Sequence, residues 1–362
     1  MIYEDYKKLK YKYSNNISAY KAILEQRFKD AVILPITAKN GQPMRFVMCE
    51  EIKMLLSEIE QAYRDCEIDA VRFVAEESLA SCTIEGAKST LPDTIKLIEG
   101  KVPTNKSEKM IQGNIKAIQS ILQNGFEFSE RSIFELWKAV ANDAIDNESI
   151  KGDMYRNGDV VVADRIGNIT YMSPKCDAIP DMMKELVEFC HDEDRLDPYI
   201  KAAAIHYAFV YIHPFCDGNG RTARLLLQNW LINSGLDKYK GVSISSGVLE
   251  NKAAYYKALE NSENNYNDIT FIIIFYLETI LDTLYKGIKG FGFNERHFNM
   301  NSRQQQALTF LRKSSGNILT IDSYSRRYAV DKDTAEKELS ELHDNDIIGM
   351  RIDGSQRRFC LE

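Results

Sequence analysis

The sequence predicts a mainly α protein: a helical bundle carrying one β-hairpin, followed by a small C-terminal unit. Three observations point there. Apolar residues recur at helical spacing in segment after segment of the 362-residue chain. One stretch, Met154–Met172, breaks that rhythm with two β-branched runs, Val160–Val162 and Ile169–Tyr171, around Asp164-Arg-Ile-Gly-Asn168. It reads as a hairpin with a glycine-containing loop. From Arg303 onward the order is helix, helix, helix, strand, strand.

Residues 1–48 are mixed, with a short helix over Ile17–Phe28, an extended piece at Ala31–Pro35 and a turn at Lys39–Pro43. Ile52, Leu55, Leu56, Ile59 and Ala62 keep helical spacing from Cys49 to Cys66. A helix follows over about 68–86, with Val74, Ala75 and Leu79 inward. It stops at Glu85-Gly86, where a glycine suits a helix end. Pro92–Ile98, Ser107–Leu122 and Ser129–Ile145 are helical. After the hairpin, Pro174 opens a helix to about His191. Asp197–Ile212, Leu225–Ile232, Val248–Asn261 and Ile269–Ile288 complete the helical body. Phe291–Asn301 looks like a linker. Helices at Arg303–Arg312, Ile321–Ala329 and Asp331–Leu342, then strands at Ile347–Ile352 and Arg357–Leu361, have the order of a winged helix. The expected division is 1–105, an N-terminal helical region; 106–290, a core; 291–302, a linker; and 303–362, a winged-helix-like domain.

Composition excludes several classes. A net charge of −7 argues against a generic polyanion binder. The longest apolar run, Ile269–Leu284, is broken by Tyr, Thr, Glu and Asp, so no membrane span is expected. The charged N-terminus lacks the apolar core of a signal peptide. Seven cysteines without paired spacing read as reduced thiols, which points to a cytoplasmic protein.

The chemistry concentrates in His213-Pro-Phe-Cys-Asp-Gly-Asn-Gly-Arg-Thr-Ala-Arg224, between two apolar helices. Pro214 disfavours helix at His213, while Gly218 and Gly220 permit backbone that other residues resist. A glycine-rich turn entering a helix aims free N–H groups at one spot, and the helix dipole adds positive potential. That is an anion site, and phosphate is its usual occupant. Arg221 and Arg224, three apart, share a helix face beside it. Asp217 is placed to hold a divalent cation against the same phosphates, and His213 is a candidate base.

This stretch resembles the signature of the Fic family: His, any, Phe, any, Asp/Glu, Gly, Asn, Gly, Arg, two of any, Arg. His213, Phe215, Asp217, Gly218, Asn219, Gly220, Arg221 and Arg224 meet every specified position. The resemblance covers about residues 50–290. It implies a Fic-type helical bundle with the hairpin as a flap over the active site. It also implies transfer of AMP from ATP, with Mg2+, to a Ser, Thr or Tyr hydroxyl of a target protein. His213 would take the hydroxyl's proton. The amides from Gly218 to Gly220, with Asn219 and Arg221, would hold the phosphates. Asp217 would bind the metal, and Arg224 would lie near the γ-phosphate. Phe215 reads as an anchor of the loop, and His206 as a packed histidine.

Ser81-Cys-Thr-Ile-Glu85-Gly86 resembles the family's inhibitory motif, placed at the end of an upstream helix as in one subclass. It implies that Glu85 pairs with Arg224 and denies it to the γ-phosphate. In some members of that subclass the same glutamate also serves removal of AMP, which the sequence leaves open. The hairpin at about 155–173 would take an extended target segment by strand addition. Asn251–Leu259 resembles the segment that packs on adenine, so Tyr255 or Tyr256 would touch the nucleotide. Members of this type dimerise, so the resemblance extends to a homodimer.

For the winged-helix-like part, DNA is the obvious ligand, but charge opposes it. Asp331, Asp333, Glu336, Glu338, Glu341 and Asp344 on the would-be recognition helix face only Lys332 and Lys337. Arg326, Arg327, Arg357 and Arg358 leave a wing contact open, yet protein docking or support of a dimer fits better. Two other readings stand beside AMP transfer. One is transfer of a different phosphate-containing group on the same fold; the other is a transcriptional regulator that senses nucleotide.

Overall fold

The computed structural model describes residues 3–66, 70–141, 154–163, 169–192, 196–286, 300–312, 317–344, 347–353 and 356–361. They cluster into two compact units, Met1–Gly287 and Ile288–Glu362.

The first unit opens with α1 (Tyr6–Lys12), α2 (Ile17–Lys29) and an antiparallel hairpin, β1 (Ala31–Thr37) and β2 (Pro43–Val47). The sequence reading expected one short helix, an extended piece and a turn here; the structure has two helices and a hairpin whose strands pair across that turn. Val32-Ile-Leu34 lacks the alternation of a half-buried strand, which hid the pairing. The α1 helix is short, capped by Asp5, whose side chain accepts the Lys8 N–H.

Next come α3 (Glu50–Asp65), α4 (Ala70–Ile84), α5 (Leu91–Ile98), α6 (Lys106–Asn124) and α7 (Glu130–Ala141). The expected start of α4 at Ile68 and end of α7 at Ile145 lie outside the described residues. The central hairpin is β3 (Val161–Ala163) with β4 (Ile169–Met172), Val161 opposite Met172. Its tip, 164–168, also lies outside them. A 3₁₀ turn, Cys176–Ala178, leads into α8 (Ile179–His191).

Two helices form the axis of the unit. Of α9 (Pro198–Ile212) all but Pro198 and Val210 are buried. A helix apolar all round belongs in the centre. It packs on α10 (Asn219–Asn233) and α13 (Thr270–Lys286), with α7 and the 3₁₀ turn Asp237–Lys240 against α10. The expected helix Val248–Asn261 is two helices, α11 (Ile244–Glu250) and α12 (Lys252–Asn264), broken at Asn251. Of the fold, then, the crossing of α9 and α10 and the packing of α4 on α6 and α11 are what place the site.

In the second unit, α14 (Ser302–Arg312), α15 (Ile321–Tyr328) and α16 (Lys332–Asp344) precede the hairpin β5 (Gly349–Asp353) and β6 (Gln356–Cys360). Leu308, Leu311, Tyr324, Leu339, Leu342 and Phe359 form its own core. Most of the linker expected at 291–302 lies outside the described residues. Among the described residues no helix is long and apolar enough to cross a membrane.

Candidate active site

The loop between α9 and α10 is built by its own sequence. His213 caps α9 with a left-handed backbone, φ 52° and ψ 58°, and its N–H donates to Phe209 O. Pro214 forbids the helix to continue, and a left-handed non-glycine residue costs about 1–2 kcal/mol, so neighbours must hold it. Phe215 does part of this: it is buried, its ring 4.2 Å from Trp137 and nearly parallel at 13°. Asn219 turns its side chain back, accepting from Phe215 N–H at 3.0 Å and donating to Phe215 O at 2.6 Å. Its amide group therefore fixes the loop. Gly218 starts α10 at φ 82°, where a Cβ would crowd Ala141 and Trp137 at 3.1 and 3.3 Å. Trp137 Nε1 donates to Asp217 O at 2.7 Å. Sequence reasoning missed Trp137, whose only signal was an indole on an amphipathic helix.

The Thr222 N–H makes the first bond of the α10 ladder, to Gly218 O. The amides of Asn219, Gly220 and Arg221 precede that ladder and are free for an anion. Behind them lie two buried guanidinium groups. Arg221 Nη1 donates to Val140 O at 2.9 Å, and its Nη2 stands 3.5 Å from Asp217 Oδ1. Arg224 Nε donates to Ser81 Oγ at 3.0 Å, and Nη2 donates to Ser81 O at 2.8 Å and to Glu85 Oε1 at 2.9 Å. Among the described residues Arg221 Nε and Nη2 and Arg224 Nη1 are buried without a hydrogen-bond acceptor. Buried cationic donors without acceptors are costly, and a phosphate would satisfy them. Burial alone would lower the Arg224 pKa; the Glu85 carboxylate beside it opposes that shift and favours the charged form.

Glu85 reaches this point through the end of α4. Ala87 N–H bonds Cys82 O and Gly86 N–H bonds Thr83 O. That is a Schellman arrangement, with Gly86 at φ 94°. It fixes Glu85 as the last residue before the chain turns, with its side chain over α10. Gly220 makes the room: a Cβ there would lie 2.3 Å from Glu85 Oε1.

His213 is pushed below its ordinary pKa, by burial above all, while the Val210 carbonyl opposes the shift. It is therefore neutral at pH 7 and able to accept a proton. Asp217 is the loop's carboxylate: its Oδ1 accepts the Gly218 N–H at 2.6 Å, and its side chain is 56% exposed. The described residues contain no cluster of three metal ligands. One half-exposed carboxylate beside a phosphate site suits Mg2+, which keeps several waters and takes oxygens from phosphate.

The two tyrosines separate. Tyr255 is buried, its hydroxyl 2.9 Å from His206 Nε2. Tyr256 is 46% exposed, with Lys252 Nζ 5.8 Å from its ring centre. His206 is fully buried between Tyr255 and Tyr276, as a packed histidine. At the hairpin, the Tyr171 hydroxyl donates to Tyr211 O. Lys39, from the β1–β2 turn, donates to Met172 O at 2.7 Å and pairs with Glu263 at 2.6 Å. Sequence reasoning gave Lys39 no role, because its partners lie more than a hundred residues away.

Known proteins resemble this chain in sequence and fold. The profile of the Fic/DOC family matches residues 127–231. Protein adenylyltransferase fic-1 of Caenorhabditis elegans is 33% identical over 180 residues, 41% of this chain and 34% of that protein. Protein adenylyltransferase Fic of Nematostella vectensis is 30% identical over 169 residues, 43% of this chain and 36% of that protein. The chain thus spans little more than a third of the length of these curated relatives. Among solved structures, a Fic family protein from Desulfovibrio desulfuricans superposes with a TM-score of 0.60 at 17% identity, over 87% of this chain and 97% of that one. A Fic domain-containing signaling protein from Bacteroides thetaiotaomicron gives 0.51 at 22% identity, over 66% and 96%. At those identities the likeness shows the fold.

Proposed function

We propose that this chain, which carries a Fic domain, is a protein adenylyltransferase held off by its own Glu85. The observation that carries the reading is the 2.9 Å pair between Glu85 and the buried Arg224 beside the N-terminus of α10. A carboxylate there takes the place a phosphate would take, and it repels one as well. The curated relatives are protein adenylyltransferases by name, which supports the transfer of an adenylyl group.

In this reading the catalytic core is 106–290 and α4 is the inhibitory element of an N-terminal region, 1–105. Neutral His213 takes the proton of a Ser, Thr or Tyr hydroxyl as that oxygen attacks the α-phosphorus of ATP. The new P–O bond forms in line with the bond that breaks, and pyrophosphate leaves. The first-turn amides of α10 and Arg221 hold the phosphates, and Arg224 takes the γ-phosphate once Glu85 withdraws. Asp217 and the phosphates would hold Mg2+, which spreads the developing negative charge. Tyr256 would stack on the adenine. A target segment would add along the hairpin at 155–173, and a homodimer in the cytoplasm is the working form. The C-terminal unit would dock protein in preference to DNA.

The test uses Glu85→Gly with ATP and Mg2+. Label moves to protein from α-³²P but not from γ-³²P, and at least about tenfold faster than in wild type, the scale of one charge-assisted hydrogen bond. A folded Glu85→Gly protein no faster than wild type removes the inhibitory reading. Transfer from γ-³²P in place of α-³²P removes the adenylyl reading.

A further inference from the structure

Arg156 lies at the base of the hairpin, between α7 and β3, and is 5% exposed. Its three kinds of guanidinium nitrogen go to three separate segments. Nε donates to His213 O at 2.8 Å, Nη1 to Gly158 O at 2.6 Å and Nη2 to Pro174 O at 2.5 Å. Its backbone N–H adds a fourth bond, to Pro214 O at 2.9 Å. Gly158 precedes β3 and Pro174 follows β4, so the side chain spans both ends of the hairpin. His213 and Pro214 are the first two residues of the catalytic loop.

Every one of these acceptors is a carbonyl, and among the described residues no carboxylate is paired with Arg156. With backbone carbonyls as its acceptors among the described residues, geometry is what this guanidinium supplies. Its planar fork directs donors in diverging, fixed directions that an ammonium on a flexible stem cannot match. The hairpin needs such a fastening. Beyond its short ladder, its base is closed by Ser173, whose N–H and hydroxyl both bond Val160 O at 3.3 and 2.5 Å. The His213 backbone needs one too, because its left-handed conformation is unfavourable by itself.

We propose that Arg156 is a positioning residue that locks the hairpin base and the His213 carbonyl into one unit. The strand that presents the acceptor hydroxyl then keeps its distance from the base that deprotonates it. The chemical half of this statement rests on the adenylyltransferase reading; the mechanical half does not. Among the described residues Arg156 makes no hydrogen bond to the phosphate amides or to Arg224, so its substitution leaves those nucleotide contacts in place.

Two measurements on the full chain decide it. In the Glu85→Gly background, Arg156→Lys lowers kcat for label transfer from α-³²P-ATP about 100-fold, the scale of a 1 Å misplacement of reacting groups. KM for ATP stays within about threefold, since the nucleotide contacts are untouched. In parallel, hydrogen exchange of Arg156→Lys in the otherwise wild-type chain speeds up at the amides of position 156 and Ser173, about tenfold or more, while α9, α10 and α13 stay protected. Unchanged exchange at the hairpin base overturns the proposal, as does kcat equal to that of the Glu85→Gly parent. A uniform rise in exchange across the bundle also overturns it, by making Arg156 a general core residue. If the Glu85→Gly parent itself transfers no label, the adenylyltransferase reading fails, and the exchange measurement still decides the fastening.

Discussion

At the residue scale, Gly220 decides whether Glu85 and Arg224 can meet. A Cβ on it would stand 2.3 Å from Glu85 Oε1 and 3.3 Å from Arg224 Nη1. The first atom is the free end of a side chain and can move, but moving it breaks the pair. Alanine in place of a helical glycine otherwise gains about 0.5–1 kcal/mol. Loss of a hydrogen bond between charged groups costs about 1.5–3 kcal/mol, so the loss wins when Glu85 is present. Gly220→Ala is therefore expected to destabilise the wild-type chain by about 1–2 kcal/mol and to stabilise Glu85→Ala slightly. Urea unfolding of the four proteins of this double-mutant cycle checks it; equal effects in both backgrounds would mean that Gly220 and Glu85 do not share the space. Gly220 and Arg224 are legible in the sequence because one twelve-residue window holds them and local spacing fixes their geometry; Glu85 is legible through its own short motif at a helix end. Trp137, Arg156 and Lys39 are not, since each acts through a carbonyl or ring supplied by a distant segment. A backbone acceptor leaves no side-chain trace to read.

At the element scale, α4, α9, α12 and α13 illustrate how partial that legibility is. Helical spacing located all four, and four-residue spacing puts Glu77, Ser81 and Glu85 on one face of α4. What it did not reveal is that Glu77 is wholly buried and joins α4 to α11. It accepts from Ser243 Oγ at 2.8 Å and Ser245 N–H at 3.0 Å. Nor did it reveal that His206 of α9 sits between Tyr255 of α12 and Tyr276 of α13, each hydroxyl 2.9 Å away. Burial drives the His206 pKa down to about 3, with Arg224 adding to the shift. An unfolded histidine titrates near about 6.5. The unfolded chain thus binds the extra proton between those values, and folding stability falls as pH drops through that window. The contribution is complete above about pH 6.5 and is lost at up to about 1.4 kcal/mol per pH unit below it. His206→Gln keeps an acceptor for the hydroxyls but cannot titrate. Between pH 7 and pH 5 the wild-type chain is expected to lose about 2 kcal/mol more than His206→Gln, read from urea midpoints. Parallel pH profiles would show that His206 is not buried as a neutral ring.

At the scale of the whole molecule, the second unit has the means to fold alone. Its core is contiguous, from Ala307 and Leu308 on α14 through Tyr324, Leu339 and Leu342 to Phe359 on β6. Leu319 and Phe359 exchange backbone bonds at 2.8 Å, closing the hairpin onto the helices. Glu338 adds a polar hub, accepting from Asn301 Nδ2 at 2.8 Å, Arg303 Nε at 3.1 Å and the Tyr324 hydroxyl at 2.7 Å. That hub also amends the charge reading of α16. Glu338 points inward, and Glu336 pairs with Arg357 at 2.9 Å, so the outer face is less acidic than the bare sequence implies. A unit of this size buries little surface and is stable by only a few kcal/mol, about 3–5 on general grounds. Arg303 pulls the Glu338 carboxyl below its usual range, so its ionised form helps hold the unit at neutral pH. Residues 300–362 expressed alone are expected to unfold cooperatively, and Glu338→Ala to lower that transition, because it strands the buried Tyr324 hydroxyl at about 1–3 kcal/mol, while Asn301 and Arg303 can turn to water. Residues 1–287 alone are expected to keep the melting transition they show in the full chain, since α9, α10 and α13 take their core from within that span. Calorimetry of the two pieces and the full chain checks this. A first unit that fails to fold without the second would mean that the two cores are one cooperative system.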